Sequence, residues 1–173
     1  MVKEKVKEIH DKVIVEPGNN HAIYFQFEKD FVEERIRCIP MMVRFKLDAC
    51  GIKLRLREWS KFSPAEKNIL CEMDCDKPEE LQLYRNYLQE LVYRYTGKAA
   101  TDLPIDPNPE WTHINKIPFS LQQELAKYNW KISLHQWKSL SNLKRFSLIK
   151  LTRPGHENRN FPRAIKEFGL VNK

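Results

Sequence analysis

Arg37-Cys-Ile-Pro-Met-Met-Val-Arg-Phe-Lys-Leu-Asp-Ala-Cys-Gly-Ile-Lys-Leu-Arg-Leu-Arg-Glu-Trp59 is the stretch from which the fold is read. Moved 78 positions along, its residues 39–59 lie over residues 117–137 without a gap. Carried on to Leu70, the overlay holds eight identities in 32 positions: Ile39/Ile117, Pro40/Pro118, Leu47/Leu125, Lys53/Lys131, Leu56/Leu134, Trp59/Trp137, Ser63/Ser141 and Leu70/Leu148. Gly51 meets Asn129, and both residue types suit a left-handed helix C-cap. Lys67 meets Arg145, Val43 meets Leu121, and Phe62 meets Leu140.

Working outward from this stretch, Pro40 suits the first turn of a helix. Val43, Leu47 and Cys50 then share one face at helical spacing, and Gly51 ends the run. A short helix around Trp59 follows. Ser63-Pro-Ala-Glu66 opens the next helix, with a capping serine, proline at the first position and glutamate three residues on. The second copy predicts a helix over 118–128, a capping box at Ser133 and Gln136, a short helix around Trp137, and a helix over 141–151. Trp59 and Trp137 read as core pegs rather than base-stacking platforms. Ile52-Lys53-Leu54 is too short for an ordinary strand but could pair with Trp130-Lys131-Ile132.

Between the copies, residues 78–95 carry a wide apolar stripe and form the longest predicted helix, with Gly97 as its cap. Residues 101–118 contain four prolines, which rule out regular structure. Leu103, Ile105, Trp111 and Ile114 would anchor this segment as an ordered strap. Residues 1–21 read as a charged flexible leader, residues 22–27 as a short extended piece, and residues 28–37 as a helix. Residues 153–161 read as a polar loop, followed by a last helix over 162–168 capped by Gly169. The fold expected is mainly α: one helical domain over 22–173, built from two fused helix-turn-helix pseudo-repeats (37–97 and 117–170) around a strap at 101–118. Paired helix-turn-helix units share their plan with EF-hands, but the alternating oxygen ligands of a calcium loop are missing.

Five glycines in 173 residues argue against a turn-rich sandwich and against a glycine-rich phosphate loop. No apolar run approaches the ~20 residues of a membrane span. The first 12 residues lack the apolar core of a signal peptide, so a soluble cytoplasmic protein with reduced cysteines is expected. The net charge of +7 is uneven. Residues 113–173 carry 12 Lys and Arg against three Asp and Glu, whereas residues 1–112 carry 18 against 20. The second half is therefore a candidate face for an anionic partner.

Two places could carry function. One is the opening stretch, where Cys38, Arg44, Lys46, Asp48 and Cys50 have no like counterpart in the second copy. The other is the loop Arg153-Pro-Gly-His-Glu-Asn-Arg-Asn160, which gathers cationic, acidic and amide groups. Arg37, Arg44, Lys46, Asp48, Arg153, His156, Glu157, Asn158 and Asn160 are the expected partner-binding residues. His156 and Glu157 could serve acid–base chemistry, but no paired nucleophile or zinc spacing accompanies them. No catalytic residue is assigned, and no enzyme, cofactor or metal is expected. A metal or iron–sulfur role for Cys38, Cys50 and Cys75 is the alternative, although the cysteines lack two-residue spacing. A nucleic-acid binder is the third reading and rests on charge alone, without a recognition motif.

Phe25-Gln-Phe-Glu-x-Asp-Phe31, residues 37–48, Cys50-Gly-Ile-Lys-Leu54, Leu103-Pro-Ile-Asp-Pro107 and residues 153–158 together resemble the nitrate reductase-associated protein family, best known from cyanobacteria. The resemblance runs from Tyr24 to Phe168. It implies an accessory protein required for assimilatory nitrate reductase activity, acting on that enzyme without catalysis of its own. The partner it implies is the reductase, which uses a molybdenum cofactor and an iron–sulfur cluster. It implies no catalytic residue and leaves the step served open.

Overall fold

A computed structural model describes residues 24–30 and 38–171, without the side chains of His156 and Glu157. The leader, Arg37 and most of the helix expected over 28–37 lie outside the described residues. The described chain is mainly helical and falls into two compact units, one centred on Lys29–Asp106 and one made of Gln26–Glu28 with Pro107–Lys173.

The first unit holds helices α1 (Met41–Cys50), α2 (Leu56–Trp59), α3 (Pro64–Glu72) and α4 (Pro78–Thr96). Pro40 precedes α1, and Gly51 closes it in the left-handed conformation at φ 69°. The α3 capping box forms as expected: Ser63 Oγ accepts from Glu66 N, and Glu66 Oε2 accepts from Ser63 N at 2.8 Å. Val43, Leu47, Trp59, Leu70, Tyr84, Leu88 and Leu91 fill the core of this unit. Burying each such side chain contributes about 1.5–3 kcal/mol.

The second unit holds α5 (Phe119–Ala126), α6 (Leu134–Ser139), α7 (Asn142–Leu151) and α8 (Phe161–Glu167). The first three of these helices start at 119, 134 and 142, each 78 positions after α1, α2 and α3 at 41, 56 and 64. Asn129 is the one non-glycine residue with positive φ among those described, at 56°, opposite Gly51 in the overlay. Ser133 and Gln136 form the expected capping box. Trp59 and Trp137 are both fully buried. Each lies under a buried cation from the following helix, Lys67 Nζ at 5.6 Å and Arg145 Cζ at 5.8 Å from the ring centre.

Four expectations need correction. The short strand β1 (Ile52–Lys53) pairs antiparallel with β2 (Thr101–Asp102), not with residues 130–132. Arg85 of α4 explains the choice. Its guanidinium donates to Cys50 O at 2.6 Å and Gly51 O at 3.0 Å, and it clasps the Asp102 carboxylate. Gly51 adds room: a Cβ there would meet Leu103 O and Ile105 Cγ1 at 2.8 Å. Second, the strap is not free of regular structure, because it contains β2 and a 3-10 turn at Glu110–Thr112. Proline 109 precedes that turn, where it costs no hydrogen bond. Of the four strap anchors, Ile105 and Ile114 are 57% and 42% exposed, whereas Trp111 packs edge-on against Phe146 at 5.0 Å. Third, Gln26–Glu28 is a 3-10 turn rather than an extended piece. The Glu167 carboxylate accepts from Gln26 N and Phe27 N at 2.9 and 2.8 Å and so supplies the donors' missing partners. Fourth, residues 156–160 of the polar loop form a 3-10 turn. Among the described residues no helix is long and apolar enough to cross a membrane.

Candidate functional site

In the first unit, Arg44, Lys46 and Asp48 project from α1, all half-buried. Lys46 is turned inward to the end of α3. Its ammonium donates to Met73 O at 2.6 Å, Cys71 O at 2.7 Å and Leu70 O at 3.4 Å. Helix C-termini leave carbonyls without intrahelical partners, and an ammonium has three donors to give them. Burial pulls the Lys46 pKa below the ordinary lysine value, opposed by the nearby Cys75 and Cys71 thiols. Its ammonium also lies 5.6 Å from the Tyr84 ring centre. Lys46 thus joins two helices, while Arg44 and Asp48 remain the partner-facing candidates of α1.

None of the four cysteines is disulfide-bonded. Burial pushes the Cys50 thiol up to about 11 and the Cys75 thiol up to about 12, which holds both as neutral thiols. Among the described residues no three His, Cys, Asp or Glu side chains are grouped to hold a metal ion. Cys50 also points its sulfur to Leu47 O within α1, as a buried packing residue does.

In the second unit, Arg153 is exposed, and Asn160 is buried. Asn158 is committed to the fold: its amide donates to Leu151 O at 2.9 Å and to Glu124 Oε1 at 3.0 Å. Glu124 is 3% exposed and takes a second bond from Lys127 Nζ at 2.6 Å. Asn158 and Glu124 together close the C-terminus of α7. The backbone of His156 and Glu157 lies in the adjoining turn, and their side chains are outside the description.

One feature escaped the sequence reading. A cleft of about 540 Å³ opens in the second unit, lined by residues 115–117, Gln122, Leu125, Ala126, residues 129–132 and Leu134. Two lysines, Lys116 and Lys131, stand in it with no carboxylate. Trp130 forms part of one wall and stacks on Tyr128 at 4.9 Å. The signal was present in the repeat: every lining residue from Lys116 onward has its counterpart among residues 38–56, the stretch already singled out in the first copy.

Fold and surfaces define a small, mainly helical protein with a basic C-terminal half. A family model of the conserved nitrate reductase-associated proteins matches residues 24–168, and the chain belongs to that family. Comparison with curated proteins gave no match, and comparison with solved structures gave none.

Proposed function

We propose that this protein is an accessory factor for assimilatory nitrate reductase, serving its assembly, maturation or stability by protein–protein contact in the cytoplasm. Family membership over residues 24–168 carries this reading. The charge distribution supports a binding role: residues 113–173 hold 12 basic side chains against three acidic ones, a field that speeds encounter with an acidic surface. Arg44 and Asp48 on the first unit and Arg153 on the second are the contact residues proposed, with Arg37, His156 and Glu157 completing the set. Lys46, Asn158 and Asn160 belong to that set, and Lys46 and Asn158 also hold backbone carbonyls within their own units.

The test is co-purification of the tagged chain with nitrate reductase from the same cells, alongside reductase activity in a deletion strain. The expected result is a complex that weakens at least tenfold on Arg153→Ala combined with Arg44→Ala, and low reductase activity in the deletion strain. Normal activity in that strain, with no complex recovered, sinks the reading. The metal reading has no grouping of ligands behind it among the described residues, and the nucleic-acid reading still rests on charge alone.

A further inference from the structure

The two units treat one equivalent segment differently. In the first, residues 51–53 are covered. β2 pairs with β1, placing Asp102 opposite Ile52 and Thr101 opposite Lys53, and Leu103 N donates to Gly51 O at 2.9 Å. Asp102 is then clasped by Arg85. In the second unit the corresponding residues 129–131 line an open cleft. The described residues form a single two-stranded sheet, and residues 130–132 lie outside it. The backbone before them is set in the same way, with Asn129 in the left-handed conformation that Gly51 adopts.

We propose that this cleft takes one extended, acidic peptide segment of a partner protein, which adds as a strand along residues 130–132. Three observations select that occupant. The first unit shows the equivalent segment receiving an antiparallel strand that carries an aspartate, Asp102. The cleft presents Lys116 and Lys131 without a carboxylate, so negative side chains are favoured. Its apolar lining, Ile117, Leu125, Trp130, Ile132 and Leu134, suits alternate apolar side chains of an extended chain. Asn129 differs from Gly51 in carrying a side chain, so the incoming backbone sits farther out than Leu103 does over Gly51, and the Asn129 amide replaces that close contact. The inference rests on the cleft and not on the reductase reading: any protein carrying such a segment satisfies it.

The test begins by selecting a phage-displayed random heptapeptide library on the full-length chain. Winning sequences are then made as free peptides and titrated while backbone amide signals are followed. The expected winners are net acidic and alternate apolar with polar residues. They shift amides at 115–134, slow hydrogen exchange at Lys131, and bind several-fold more weakly as salt rises from about 50 to 200 mM. Lys131→Gln should weaken them a few-fold, and Lys131→Pro, which also removes the backbone donor, at least tenfold. Slowed exchange at Lys131 in the unaltered chain keeps the test decisive if the proline variant does not fold. Basic or unselected winners, amide shifts elsewhere, binding without slowed exchange, or equal effects of the two substitutions each overturn the proposal. So does occupation of the cleft by inorganic sulfate with no acidic peptide enriched.

Discussion

Lys46 and Glu124 stand at the sixth position of α1 and α5, and each ties its own helix to the carbonyl end of a later one. Lys46 does so directly, by donating to Met73 O at 2.6 Å. Glu124 cannot donate, so it holds Asn158, whose amide donates to Leu151 O at 2.9 Å. Met73 and Leu151 are themselves 78 positions apart. Opposite charges therefore solve one problem, the exposed carbonyls at the C-terminus of the third helix. Placed over each other, Lys46 and Glu124 look like a loss of pattern. In space they are the same joint built from different parts.

Substitutions at this joint should separate the two solutions. Lys46→Met keeps the stem and removes the donors, which leaves partly buried carbonyls unsatisfied and should cost about 2–4 kcal/mol. Lys46→Glu should be worse, because position 80, the counterpart of Asn158, is itself a glutamate already bonded to Asp76 N and Lys77 N. Asn158→Ala should cost about 1–2 kcal/mol. Urea unfolding curves check all three, and an undisturbed Lys46→Met variant refutes the joint.

Gly51 and Asn129 share a backbone conformation but not an environment. Gly51→Ala adds strain at φ 69° and a Cβ only 2.8 Å from Leu103 O and Ile105 Cγ1. A loss of about 2–4 kcal/mol is expected, with β2 displaced from β1. Asn129→Gly keeps the left-handed turn and should change stability by less than about 1 kcal/mol. Thermal melts of the two variants side by side decide the point.

Tyr84 is completely buried, and among the described residues its hydroxyl has no hydrogen-bond partner. Burial raises its pKa well above that of an ordinary tyrosine. Tyr84→Phe removes the unsatisfied hydroxyl while keeping the ring under Lys46, so stability should rise by about 1 kcal/mol. A fall of the same size would show that the hydroxyl has a partner after all.

The cysteines set an alkaline limit. Cys50 and Cys75 have folded-state values of about 11 and about 12, both above the free-thiol value of 9.0. Their neutral forms favour the fold. That contribution is complete below pH 9 and is lost as pH rises toward 11 and 12, because the unfolded chain releases its protons first. Stability should therefore decline through this window. At pH 8 both thiols should label at least tenfold more slowly in the folded protein than in urea, followed by mass spectrometry of the labelled peptides. Rapid labelling of either in the native state contradicts the burial described.

Caps and helix starts were legible because they are local. Ser63 with Glu66 and Ser133 with Gln136 announce themselves within four residues, and the repeat carried their register from one half to the other. Trp59 and Trp137 were legible as core for the same reason. The β1 partner was not, because Ile52 pairs with Asp102, and Arg85, which directs that choice, reads in sequence as one more surface cation on α4. The structural bonds of Lys46 and Asn158 were hidden for a related reason. A polar side chain that satisfies a distant carbonyl cannot be told from an exposed one until the two helices meet. The cleft stayed hidden because what distinguishes it is a strand that the second copy lacks, and sequence patterns show residues rather than vacancies.

The 3-10 turn at Gln26–Glu28 has a consequence for how this chain is made. Its backbone donors close on Glu167, 141 positions later, and Phe27 packs edge-on against Phe168 at 6.0 Å. Ribosomes add roughly 5–20 residues per second, so this early segment waits on the order of ten seconds for its acceptor to exist. The first unit can close as soon as Asp106 has emerged, but the second recruits a piece translated ahead of residues 29–106. These contacts therefore form only once residues 167 and 168 have been made, long after the turn itself.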